Sequence, residues 1–340
     1  MKPAGITQKQ WLQYNFYFIL EHFIGLKLSE KYLKPRKLKL FHEALNNNPG
    51  IRERAQNINI KDIERTSFEQ IKDQREILLQ TPLVFRGAAK EWEAVKLWSK
   101  EFFRDQHGDT PVTIIDNPGL VDKDKENVFK HTNFAEYFKE VEKDKSKYLR
   151  FSRVLDNNPQ LLKYLNMDWL RQFKANLSVG DQTFLFIGEG DTKTPMHAAL
   201  SHTIFVQIKG KKRWIICAPN ERFFTDPVAG RLLYYYTNGD ITNNNDPNYT
   251  LMPYVRKYDV ILDEGDVLWL PSYFWHHVEN VTPTIGVAFK YQNLAESWKI
   301  TKTMFILNFL ATKPTILRSY IYNLLNKQDY IYNTKSAKFH

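Results

Sequence analysis

Short apolar runs set the texture of the middle of the chain. Between Gln182 and Lys290 they fall at 183–187, 204–208, 213–217, 259–262, 266–270, 275–279 and 284–289, separated by Gly, Pro, Asn and Asp, and each predicts a strand. Strands this short and this closely spaced predict a sandwich or barrel in which every second side chain points inward. A strand at 82–86 ended by Gly87, helical spacing through Trp92, Val95 and Trp98, and a strand at 111–115 come before them. The polar stretch 238–248 reads as a long excursion that forms a rim over a pocket, not as a domain linker.

Helical periodicity governs both ends. Residues 11–28 place Trp11, Phe16, Ile19, Leu20, Phe23 and Ile24 at spacings of three and four, and Lys27, Lys31, Lys34, Arg36, Lys37 and Lys39 follow. Gln13, Asn15, Glu21 and His22 interrupt the run too often for a membrane span. It predicts an amphipathic helix that either packs on the body of the protein or lies in a membrane interface beside its basic cluster. After Gln292, the spacing of Trp298, Ile300, Met304, Leu307, Leu310, Ile316, Tyr320 and Leu324 predicts a helical pair suited to packing or to a homodimer interface. Lys299, Lys302, Lys313, Arg318, Lys327, Lys335 and Lys338, against Asp329, make this tail basic. The expected organisation is a helical segment 1–80, a strand-rich domain 81–293 and a basic helical segment 294–340.

Composition narrows the class. The 340 residues, 43% of them hydrophobic and 14% aromatic, can bury a large core, and a disordered chain is excluded. The single cysteine, Cys217, lies among Ile215, Ile216 and Ala218, so it reads as buried and inert. It cannot form an internal disulfide, and no charged-apolar-small leader opens the chain, so a reducing cytoplasm is expected. Lys and Arg outnumber Asp and Glu 48 to 38, a net charge of +10, which favours acidic partners. No basic-aromatic recognition motif accompanies the charge, which argues against nucleic acid.

Two segments carry candidate chemistry. One runs Thr194-Pro195-Met196-His197-Ala198-Ala199 and continues to Gln207-Ile208-Lys209-Gly210-Lys211-Lys212-Arg213-Trp214. The other is Gly265-Asp266-Val267-Leu268-Trp269-Leu270-Pro271 leading to Trp275-His276-His277-Val278-Glu279. In combination they resemble the JmjC and cupin-like Fe(II)/2-oxoglutarate oxygenases, above all the branch containing the asparaginyl hydroxylase that inhibits hypoxia-inducible factor. The resemblance covers about Pro82 to Tyr291 and implies a mainly β fold with flanking helices, the double-stranded β-helix. It also implies iron on two histidines and a carboxylate, with 2-oxoglutarate and O2 as co-substrates. By resemblance His197 and His277 are the metal ligands, with His276 packed behind them. Thr194 and Lys212 hold the distal carboxylate of 2-oxoglutarate, Thr203 touches the co-substrate, and Arg150 replaces a family Tyr that also reaches it.

The position of the acid, two residues after His197, is Ala199. A methyl group cannot ligate iron, so three outcomes stay open: a halogenase, in which chloride takes the vacant place as in related enzymes whose acid is Ala or Gly; a hydroxylase with water there; or a binding protein. The retained His, Thr and Lys positions favour functionalisation of an aliphatic C–H bond, with chlorination first. Glu279, Asp191 and Glu189 are alternative carboxylates on strand parity or proximity alone. The basic charge suits an acidic carrier protein bearing a tethered substrate, or an anionic small molecule.

Overall fold

The computed structural model describes residues 2–54, 57–64, 68–115, 129–230, 234–311 and 315–325. Lys313, Lys327, Asp329, Lys335 and Lys338 of the basic tail lie outside them. In chain order the strands are β1 (Asn57–Ile58), β2 (Lys61–Glu64), β3 (Leu83–Arg86), β4 (Pro111–Ile115), β5 (Phe129–Asn133), β6 (Tyr148–Ser152), β7 (Val179–Gly188) and β8 (Lys193–Ala199). They continue as β9 (His202–Lys209), β10 (Lys212–Cys217), β11 (Tyr234–Tyr236), β12 (Lys257–Leu262), β13 (Val267–Leu270), β14 (Trp275–Asn280) and β15 (Thr284–Gln292). They form two sheets, in the orders β1-β12-β10-β14-β8-β11 and β2-β3-β13-β9-β15-β7-β6-β4-β5.

Alternation along these strands sorts the apolar residues into three layers. Phe184, Phe186, Phe205, Trp214, Ile216, Leu268, Leu270 and Val278 fill the space between the sheets. Their alternate neighbours Leu185, Ile187, Ile204, Val206, Val267 and Trp269 face outward under helices between Phe68 and Phe173. On the other outer face Met196, Ala198, Ile215, Cys217, Tyr235 and Trp275 pack against residues from both ends of the chain, from Ile6 to Ile316. The period of two thus gives each sheet two apolar faces, the mark of a sheet covered on both sides. This arrangement bears out the expected jelly-roll fold, and each of the seven strands predicted between Gln182 and Lys290 is present.

Between Gln182 and Lys290, periodicity does not reveal strands β8 and β11, and β8 matters most to the site. Pro and Ala dominate Thr194-Pro195-Met196-His197-Ala198-Ala199, and both are depleted in strands. The proline is accommodated because β11 pairs only with residues 197–199, leaving Pro195 beyond the end of that ladder. The β9–β10 turn is fixed by Gly210, whose φ is +71° and where an added Cβ would lie 2.0 Å from the Pro283 carbonyl oxygen. That turn sets the register of Lys212.

The N-terminal helix α1 (Gln8–Ile24) begins with a capping box between Thr7 and Gln10. Its buried face is Trp11, Tyr14 and Phe18, not the stripe through Phe16, Ile19 and Phe23 that spacing suggested; those three are exposed. Both stripes have helical period, and only the tertiary partner selects between them. The helix is clamped by a buried ionic cluster: Lys37 Nζ lies 2.9 Å from Glu21 Oε2 and 2.8 Å from Asp226 Oδ1, and the Ser29 hydroxyl donates to Glu21 Oε1 at 2.7 Å. No helix among the described residues is long and apolar enough to cross a membrane.

This cluster generates a prediction. Lys37→Met leaves two buried carboxylates uncompensated and should cost about 3–5 kcal/mol in urea unfolding. The carboxylates can neutralise by binding protons in the folded state, so the deficit relative to wild type should shrink between pH 8 and pH 5.

Candidate active site

Strand β14 decides which histidine faces inward. Trp275 lies in the outer core and Val278 between the sheets, so parity turns His276 into the barrel and His277 out of it. His276 stands opposite His197 in the β8–β14 ladder, and their rings are 4.0 Å apart. His277, still buried, instead places Nε2 3.2 Å from Glu279 Oε1 on the outer face of the sheet, where Arg213 and Lys193 also pair with Glu279. The structure therefore corrects the expected pair: His197 meets His276, and His277 belongs to an external ion-pair network. In Trp275-His276-His277 the identity of the inward residue depends on strand phase, which the sequence does not print.

A second irregularity completes the wall. Between His276 and Val278 the β8 partners jump from His197 to Thr194, three residues against two. This bulge brings Thr194 and His197 to the same face despite their odd spacing, while Met196 and Ala198 stay outside. Ala199, two residues beyond His197, shares its face.

Both inward imidazoles are oriented by backbone. The Nδ1 atoms of His197 and His276 lie 2.9 and 3.0 Å from the carbonyl oxygens of Pro195 and Phe274. A carbonyl only accepts, so each Nδ1 donates and each Nε2 keeps its lone pair. Burial, and for His197 the neighbouring His276, hold both rings neutral, with His276 pushed down to about 3. A pair of neutral imidazoles with fixed tautomers suits a divalent metal.

The third ligand is another matter. Ala199 supplies no donor, Glu279 points to the outer surface, Glu189 pairs with Lys100, and Asp191 is exposed. Among the described residues no group of three His, Cys, Asp or Glu side chains is placed to hold a metal. The residues present fit a two-histidine site and do not fit a complete two-histidine, one-carboxylate triad.

What lines the rest of the cavity is cationic. Tyr148, Phe151, Phe186, Thr194, Thr203, Phe205, Lys212, Trp214 and Lys290 enclose about 30 Å³ beside the two histidines, room for a water or two. Lys212 is fully buried, 3.3 Å from the Tyr148 hydroxyl and 4.7 Å from the Phe205 ring centre, and no carboxylate among the described residues pairs with it. Burial lowers it to about 7. Lys290, from β15, sits over Phe151 and Phe184 at 5.2 and 5.4 Å and is lowered to about 8 by the same cause. Arg150 is buried on β6, and its charge is felt by His197 and Tyr148.

Of the expected co-substrate residues, Thr194, Thr203 and Lys212 therefore meet in one cavity. Arg150 lies close without lining it, and the phenol expected at its place is supplied by Tyr148, two residues earlier on β6. Lys290 and Tyr148 escaped sequence reasoning. The first looks like a surface lysine ending a strand, and the second like one more aromatic.

The chain matches the family described as Cupin-like domain over residues 69–297. It is 29% identical over 136 residues to the mouse protein named 2-oxoglutarate and iron-dependent oxygenase JMJD4, covering 38% of this chain and 31% of that protein. It is 27% identical over 169 residues to Arabidopsis thaliana lysine-specific demethylase JMJ30, covering 45% and 39%. Dictyostelium discoideum JmjC domain-containing protein D is 22% identical over 248 residues, covering 67% and 55%. The chain thus spans well under two thirds of the length of each.

The geometry predicts which histidines matter. Anaerobic equilibrium dialysis with Fe(II) should show affinity reduced by about 100-fold or more in His197→Ala and in His276→Ala. His277→Ala should bind as wild type. Loss in His277→Ala with retention in His276→Ala would place the metal on the outer face instead.

Proposed function

The chain belongs to the Cupin-like domain family, and from this we propose that it is an Fe(II)/2-oxoglutarate enzyme that functionalises an aliphatic C–H bond, with chloride in place of the missing carboxylate. The observation that carries the reading is the pair of neutral, backbone-anchored imidazoles of His197 and His276 beside a cationic cavity. When bound, iron with 2-oxoglutarate and O2 supplies the oxidising power that breaks the C–H bond. The chain's own groups hold and orient. His197 and His276 would hold the metal through Nε2. Lys212, Tyr148 and Thr194 take the distal carboxylate, a charge-assisted arrangement that is strong in so apolar a box. Ala199 supplies no oxygen donor, so a further ligand would have to come from outside the chain, and the positive charge that Lys290 and Arg150 exert at His197 would favour chloride over neutral water. 2-Oxoglutarate exceeds the roughly 30 Å³ present, so its entry requires lining side chains to move. The substrate class that fits the +10 chain is anionic, either a small acid or a group tethered to an acidic carrier protein.

A second reading, a binding protein without turnover, is favoured by one observation: among the described residues no three His, Cys, Asp or Glu side chains are placed together to hold a metal.

An anaerobic optical titration with Fe(II) and 2-oxoglutarate separates the two. A metal-to-ligand charge-transfer band that shifts with chloride is expected; a band indifferent to chloride would favour a hydroxylase, and no band at all would leave the binding protein. Ala199→Asp should abolish the chloride response and turn product formation toward hydroxylation.

The lysines add a pH dependence. Dicarboxylate binding without metal needs charged ammonium groups, which the empty cavity loses as pH rises through about 7 for Lys212 and about 8 for Lys290. Calorimetry in EDTA should show affinity falling roughly tenfold or more between pH 7 and pH 9, with protons taken up on binding at the higher pH.

A further inference from the structure

Helix α1 carries a second apolar stripe that remains exposed. Leu12, Phe16, Ile19 and Phe23 recur at i, i+4, i+7 and i+11, exposed by 60, 61, 39 and 54%, roughly opposite Trp11, Tyr14 and Phe18. Beyond the Gly25 cap, Leu26, Leu28 and Tyr32 continue the exposed apolar surface. Single exposed apolar residues are ordinary, but a helical stripe of this length is a contact face.

Charge says what the face meets. Within residues 9–39, Lys9, Lys27, Lys31, Arg36 and Lys39 are exposed, whereas Glu30 is the only exposed acid. The remaining acid there, Glu21, is buried and neutralised by Lys37. A second copy docking on this face would bring like charges together, while an anionic lipid surface offers both an apolar boundary and complementary headgroups. Tyr32, exposed with Lys31 beside its ring, has the amphipathic character of an interfacial residue.

We propose that α1 and the basic segment after it dock the protein on an anionic lipid surface, with Phe16 and Phe23 at the acyl boundary and Lys27, Lys31, Arg36 and Lys39 at the headgroups. The inference is independent of the cavity chemistry, because none of these residues lines the cavity.

Co-sedimentation of the full chain with vesicles tests it. Binding is expected to phosphatidylcholine vesicles containing phosphatidylserine and not to pure phosphatidylcholine, and it should weaken as salt rises. Lys27→Gln and Lys31→Gln should each lower partitioning about fivefold, and Phe16→Ser with Phe23→Ser about tenfold or more. These side chains are exposed, so thermal unfolding midpoints should stay at the wild-type value. Failure to bind serine-containing vesicles, or variants that bind as wild type, would overturn the proposal. So would a concentration-dependent dimer in sedimentation equilibrium that Phe16→Ser abolishes, which would assign the face to a second copy.

Discussion

The two-residue period of a strand, imposed on two sheets that face each other, is the constraint from which the rest of the structure follows. Every strand residue near the site must choose between the narrow space inside and an outer face already covered by helices. Phe184 and Phe186 go in while Leu185 and Ile187 go out; Trp214 and Ile216 go in while Ile215 and Cys217 go out. The same rule turns the adjacent His276 to the space between the sheets and His277, also buried, to the outer face of its sheet. Where chemistry needs two residues that parity would separate, the ladder slips: the bulge between β8 and β14 lets Thr194 and His197 share a wall.

The interior so formed is electrically unusual. Aromatic rings make it apolar, yet it buries Lys212, admits Lys290 and lies beside Arg150. An ammonium in such a place is costly unless an anion joins it, and burial already lowers both lysines toward their neutral forms. Replacing the expected acid by Ala199 removes the one negative charge that would balance them. No carboxylate lines the cavity to balance them, so the packing of its walls and the charge state of its lysines are tied together.

The helices from the two ends act as a buttress. Met196 and Ala198, the outward neighbours of His197, lie in the same core as Trp11, Tyr14, Phe18, Met304 and Leu307. The position of His197 therefore depends on helices far away in sequence. The buried Lys37, Glu21 and Asp226 cluster ties the N-terminal helices to the segment after β10 and so holds this layer in place.

Much of this was legible in the residues. Seven strands between Gln182 and Lys290 announced themselves because alternation and turn residues are local properties, whereas β8 and β11 did not. Thr194, Thr203 and Lys212 could be placed together by resemblance, and the missing carboxylate at Ala199 was visible as a letter. What the sequence left undetermined has a common cause. Strand phase separates His276 from His277, a bulge reverses parity at Thr194, and the choice of partner decides which stripe of α1 is buried; all three are relations between segments far apart in the chain. Lys290 became a site residue only when β15 paired with β9 and β7 and carried it to the cavity. Periodicity in one strand or helix fixes which residues share a face, whereas the packing of elements against one another decides what that face meets.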